Sequence, residues 1–298
     1  MSGDAGKALH FRLLSVELAA SRKLGRKLQR LLWHDMTSVA PPGIEFAISY
    51  VLFLRAERTF SSIRTLARMQ LVDDAFALVR VLVERVINGE FLILAGTEPA
   101  LDFMQYHAFR EWRDFEDLRQ VSAELIPKHT AEFLAELQKA HDKAKTRSLP
   151  DGSKKNRYGR GSDWIEMGLS KRAEFVDDSL KQRFSMTKQT STRVLYHIAY
   201  KKGAVYLHGM WASLARSLEI GNGSDHVDAE GYCEMSVGIR VKDRNPHVAA
   251  SALNAANLAA FSLILFLDRV FMNKVNQSWV TDFKDRYVLD LKKARTPS

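Results

Sequence analysis

A single cysteine, Cys233, stands in 298 residues, so the chain can form no internal disulfide and no cysteine-based zinc cluster. That usage is compatible with a reducing cytoplasm, where the protein is expected to act. The N-terminal stretch MSGDAGKALHFRLL lacks the apolar centre and small-residue cleavage site of an export signal, so the mature chain is expected to start near Met1. The apolar run LAAFSLILFL at 258–267 reaches only about half of the ~20 residues that span a bilayer, and Asn254, Asn257 and Asp268 flank it. It reads as a buried core helix, and no membrane partner is expected. A Walker loop, GxGxxG, GxSxG and HExxH are missing too, which removes sequence support for nucleotide hydrolysis, dinucleotide binding and serine or zinc hydrolysis. No cofactor is expected. The stretch DHVDAEGYCE offers Asp225, His226, Asp228, Glu230, Cys233 and Glu234 as ligand types without a metal-site spacing, and reads as an acidic surface loop with no metal.

What is present is a basic, ordinarily hydrophobic chain: 46% hydrophobic, 27% charged, net charge +9. Two segments concentrate the charge. Residues 1–35 carry seven cations (Lys7, Arg12, Arg22, Lys23, Arg26, Lys27, Arg30) against three acids, and residues 139–160 carry eight against two. Such clusters attract polyanions by releasing condensed counterions, so Arg22, Lys23, Arg26, Lys27 and Arg30, with Lys154, Lys155, Arg157 and Arg160, are the expected nucleic-acid contacts. A basic surface that only keeps the protein soluble accounts for the same residues.

Periodicity predicts an all-α helical bundle. Residues 1–40 form a basic amphipathic N-terminal helix with Leu13, Ala20, Leu24, Leu28 and Leu31 on its apolar side. APPG at 40–43 breaks it, and helices follow at 44–68, 71–94, 99–120 and 128–146. The polar, glycine-rich stretch 148–162 reads as a mobile basic loop. Helical pattern returns at 163–184 and in one long helix at 188–218. An irregular stretch at 219–246 contains one short extended segment, 235–241, and C-terminal helices over 247–298 pack on the core.

Two polar seams interrupt the apolar helices. On the helix at 71–94, apolar nearly all round, Asp73, Arg80, Glu84 and Asn88 share about a quarter of the circumference. Charges on a buried helix must be paired or wetted, so Arg80 and Glu84 are read first as an ion pair that sets helix register. The second seam runs through AYKKGAVYLHG: Arg193, His197, Tyr200, Lys201, His208 and Trp211 lie within about 80° on a helical wheel. Gly203 and Ala204 leave room for a neighbouring helix. Imidazoles, a phenol, an indole and cations on one face can hold phosphates and stack on bases, or simply organise packing.

The Arg-x-x-x-Glu of Arg80–Glu84, followed by FLILAGTEPALDFMQYHAFREW, and the Tyr-x7-His-Gly of Tyr200–Gly209 resemble a bacterial domain-of-unknown-function family. Its members carry RSLxE on one helix and YRxxSxxxHG on a later one. The resemblance covers 54–218 and places a family-like core at 44–218. That family looks distantly related to HEPN domains, helical proteins of prokaryotic immunity and toxin systems, and to AbiV-like abortive-infection proteins. The HEPN resemblance implies a metal-independent ribonuclease site completed across a homodimer. In it an arginine stabilises phosphate charge and a histidine transfers a proton during attack by the RNA 2′-hydroxyl. His208 takes the histidine position, and Lys201 stands where the motif has arginine, supplying a point charge without the two-pronged donor set. Gly203 and Ala204 stand where the family has serine. Arg80 and Glu84 complete the expected catalytic cluster; Arg193, His197 and Tyr200 join the expected RNA contacts.

Three functions fit these residues: a HEPN-like ribonuclease or toxin effector, a non-catalytic basic helical protein that binds RNA or other nucleic acid, and a structural partner protein of a defence or toxin–antitoxin operon. The resemblance favours the first.

Overall fold

The computed structural model describes residues 3–39, 43–121, 131–146, 167–184, 191–201, 218–220, 239–241, 246–272 and 277–296. Helix α1 spans Gly3–Arg30 and continues through a π-helical turn, Leu31–Asp35, into Met36–Val39. Its apolar stripe is what the periodicity requires: Leu24, Leu28, Leu31 and Leu32 are fully buried, and Arg22, Lys23, Arg26 and Arg30 face solvent.

Helices α2 (Ile44–Met69) and α3 (Val72–Ala95) form an antiparallel pair with the most extensive packing among the described elements. A sharp reversal joins them. Gln70 adopts left-handed φ (61°), its N–H donates to the Ala67 carbonyl, and the Leu71 N–H donates to the Leu66 carbonyl, closing the end of α2 in a Schellman arrangement. Where the two helices cross, Gly89 of α3 faces the Phe53 ring so closely that an added Cβ would overlap it. At the far end, Gly96 takes φ 91° and ends α3 in the GTEP break.

Helix α4 (Thr97–Val121) pairs with α5 (Ala131–Thr146), and α6 (Leu169–Phe184) packs on α3. Helix α7 is short, Thr192–Leu195, and runs into a second π turn, Tyr196–Tyr200. The helix expected over 188–218 is present where residues are described, at 192–201, with this π turn inside it; residues 202–217 lie outside the described residues. Strand β1 (Leu218–Ile220) pairs antiparallel with β2 (Ile239–Val241), with Leu218 opposite Val241, so the extended segment near 241 has a partner the periodicity did not show. Otherwise the described residues are helical, and the all-α expectation holds apart from this ribbon.

Helix α8 (Pro246–Leu267) ends in a third π turn, Asp268–Met272, and α9 (Gln277–Arg295) follows. Residues 246–272 are long and apolar enough to cross a membrane by length and composition, yet 78% of the apolar window is buried against the rest of the protein. Its neighbours are α1, α2 and α3, which makes α8 the central core helix. One continuous cluster of buried side chains draws on α1, α2, α3, α4, α6, α7 and α8.

Candidate functional site

The seam is built on a helix start that is held from outside. Ser191 caps α7 by accepting from the Val194 N–H at 3.4 Å, and Asp177 of α6 collects three donors: Ser191 Oγ at 2.6 Å, Thr192 N at 2.6 Å and Arg193 N at 3.1 Å. A carboxylate on the free N–H groups of a helix start satisfies donors that have no partner within the helix and complements the helix dipole. Beneath it, Thr192 donates to Glu90 Oε2 at 3.3 Å. Burial pushes the Glu90 carboxyl up to about 8, with the charge of Asp177 adding to the rise and the Thr192 bond opposing it. Close by in sequence, Asn88 accepts from Arg172 Nη1 at 2.7 Å, and both side chains are buried. Helices α3, α6 and α7 are thus cross-linked by polar groups inside the core.

Beyond this anchor the π turn arranges the aromatics. Tyr196 and Tyr200 stack at 5.2 Å with planes 18° apart, and the His197 ring meets Tyr196 edge-on at 5.3 Å. Arg80 reaches across from α3, donating from Nη2 to Tyr200 Oη at 3.1 Å with its guanidinium 4.9 Å from the Tyr200 ring centre. Lys201 Nζ lies 5.8 Å from the Tyr196 ring centre. Cation–π contacts of this kind contribute ~0.5–2 kcal/mol according to their desolvation. Arg80, Glu84 and Tyr200 are half-buried, and His197 and Lys201 are exposed, so the seam opens to solvent at one edge.

The structure therefore brings Arg80 together with Tyr200 and with the turn that carries Lys201, and it lays Glu84 one turn further along α3. Asn88, on the same row, is drawn inward to Arg172 instead. Arg193 turns away: its guanidinium pairs with Glu174 at 3.3 Å and Asp178 at 3.6 Å on α6. The wheel that joined Arg193 to His197 and Tyr200 assumed uniform α-helix, and the wider π turn rotates the residues on either side of it. On α1, Arg22, Lys23, Arg26 and Arg30 form the solvent face; Lys27 lies 5.5 Å over the Trp279 ring of α9. His208, Lys154, Lys155, Arg157, Arg160 and the acidic stretch 225–234 lie outside the described residues.

Asp177, Arg172, Thr192 and Glu90 were not singled out from the sequence. Each acts through a partner far along the chain, so no local pattern marks it. Ser191 alone had a sequence signal, as a serine at a helix start.

No curated protein and no solved structure matches the chain. A model of a family of unknown function, DUF5677, matches residues 46–226. That span holds α2 through α7, both partners of the Arg80–Tyr200 contact and the anchor beneath it, and on this match the chain belongs to the DUF5677 family.

Proposed function

We propose that the protein is an RNA-acting helical effector of HEPN type, a metal-independent endoribonuclease of a prokaryotic defence or toxin–antitoxin system. The observation that carries this reading is the convergence of Arg80 with Tyr200 at a solvent-open edge, 3.1 Å apart, although they are 120 residues apart in sequence. In the proposed reaction the RNA 2′-hydroxyl attacks the adjacent phosphorus and passes its proton to His208, the P–O5′ bond breaks as the 2′,3′-cyclic phosphate forms, and the 5′-oxygen leaves with a proton taken from solvent water. Lys201 and Arg80 offset the charge that builds on the non-bridging oxygens. Tyr196 and Tyr200 offer π faces for a base. A homodimer that completes the site belongs to the same proposal.

One observation favours a second reading, a non-catalytic nucleic-acid-binding or structural partner protein: Arg80 already has a phenol to bond and a ring to lie on, as a packing arginine would.

The test is cleavage of end-labelled RNA by the purified chain in the presence of a chelator, compared with His208→Ala, Lys201→Ala and Arg80→Ala. Loss of a general base is expected to lower the rate by ~10²–10⁴-fold. Equal cleavage by the parent and His208→Ala, or none by the parent, removes the ribonuclease.

A further inference from the structure

A second basic site lies away from the seam, in the groove between α1 and α2. It has a volume of about 570 Å³ and is lined by Ser15, Leu18 and Arg22 of α1 with Arg64, Thr65 and Arg68 of α2. Three guanidinium groups and two hydroxyls share it, and no carboxylate lines it among the described residues. The nearest acid on that face of α2 is Glu57, two turns from Arg64. Burial raises its carboxyl, and Arg58 and Arg64 pull it back down. Arg22 and Arg68 are exposed and make no ion pair among the described residues.

Arg64 is half-buried and held in place. Its Nη2 donates to Ser61 Oγ at 3.4 Å, and it passes over Gly25 of α1, where an added Cβ would lie 3.4 Å from Nη1. Like charges gathered in one groove repel, and the cost of that crowding is offset when an anion enters between them. All three cations are arginine, whose planar fork presents paired donors to phosphate oxygens. The volume falls in the ~300–1,000 Å³ range of ligand sites and exceeds what a lone phosphate fills. The basic surface also continues past it: Arg22, Arg26 and Arg30 follow one another at one-turn intervals along the exposed face of α1, about 6 Å apart along the axis. A row of cations suits a chain of phosphates better than a single small anion.

We infer that the α1–α2 groove is a phosphodiester-binding site that takes the backbone of single-stranded RNA, with Arg22, Arg64 and Arg68 as its phosphate contacts. The inference rests on the nucleic-acid reading above for the kind of polyanion, and not on cleavage.

The experiment is fluorescence anisotropy of full-length protein with a labelled single-stranded RNA over a salt titration, using Arg22→Gln/Arg68→Gln, whose side chains are both exposed. A control of equal charge, Lys292→Gln/Lys293→Gln, alters the exposed end of α9. Circular dichroism melts verify that both variants fold. The groove variant is expected to bind about tenfold more weakly and to flatten the log Kd against log salt slope by about 1.4, the loss of two single-strand phosphate contacts at ~0.7 each. The control is expected to keep the parent slope. Identical slopes for the groove and control variants, or no RNA binding by the parent, overturn the inference. So does a groove effect confined to vesicles of anionic lipid with RNA binding unchanged. His208→Ala is expected to keep the parent slope, and groove-dependent binding by a parent that does not cleave RNA, or that cleaves it no better than His208→Ala, would remove the ribonuclease reading while leaving this site standing.

Discussion

Glu90 has little to hold a negative charge. It is 1% exposed, its Oε2 accepts only from Thr192, and its Oε1 meets no hydrogen-bond partner among the described residues. The folded protein therefore keeps this proton up to about pH 8, whereas an unfolded glutamate releases it near 4.5. Between those values the folded state binds more protons than the unfolded one, so stability falls as pH rises, by up to ~1.4 kcal/mol per pH unit. Glu90→Gln keeps the shape and an acceptor for Thr192 while removing the titration. Its melting temperature is expected to match the parent at about pH 5 and to exceed it at about pH 8. Melting curves across that range check this, and a variant that loses stability with pH as steeply as the parent would show that Glu90 is not the group responsible. Tyr200→Phe probes a second residue: it keeps the ring under Arg80 and deletes the acceptor, so stability is expected to fall by only ~0.5–1.5 kcal/mol in urea denaturation.

At the scale of elements, the seam depends on where α7 begins. Asp177→Ala strips the acceptor from the Ser191 hydroxyl and from the Thr192 and Arg193 N–H groups, and is expected to destabilise the fold by ~1–3 kcal/mol. Hydrogen exchange is expected to quicken first in 192–201, and uniform quickening over all helices would contradict a local anchor. The α2–α3 crossing sets two effects against each other. Alanine at position 89 gains up to ~1 kcal/mol of helix propensity, but its methyl meets the fully buried Phe53 ring, at an overpacking cost of ~1–3 kcal/mol. Gly89→Ala is therefore expected to lower the denaturation midpoint; a rise would mean the crossing yields. Helices α2 and α3 were legible to within a residue or two because their apolar period is strong and their ends carry turn residues. The π turn at 196–200 and the β1–β2 ribbon were not. A π turn leaves no mark in the 3.6 pattern, and the β1–β2 ribbon depends on a pairing across the chain. Arg80 and Tyr200 were each visible as polar groups on apolar helices, but their contact, like those of Arg172 and Asp177, is tertiary. Arg64 and Arg68 went unnoticed because the groove exists only once α1 lies on α2.

At the scale of the whole molecule, the N- and C-terminal helices are joined through α8. Glu17 of α1 accepts from Tyr287 Oη at 2.6 Å, Asn257 Nδ2 at 2.8 Å and Asn254 Nδ2 at 3.1 Å. The two asparagines that flank the apolar run of α8 are thus internal partners. Beside this cluster Trp279, Phe283 and Tyr287 stack along α9, and Phe261 of α8 lies against the first two. Burial raises the Glu17 carboxyl and its three hydrogen bonds lower it, with the Tyr287 bond the largest of them. Deleting that hydroxyl removes a charge-assisted bond from a buried carboxylate, so Tyr287→Phe is expected to cost ~1.5–3 kcal/mol near neutral pH. With Glu17→Gln already in place the same deletion is expected to cost less, and the double-mutant cycle should return a coupling of ~1–2 kcal/mol. The sign with pH follows from the bond: the Tyr287 hydroxyl favours the charged form of Glu17, so its loss costs less as falling pH protonates more of the carboxyl, and the cost is larger at about pH 8 than at about pH 5. Urea denaturation of the four proteins at both pH values measures it. Costs that simply add, with no dependence on pH, would mean that α9 is held by its aromatic stack alone and that the Glu17 cluster contributes nothing to joining the two ends of the chain.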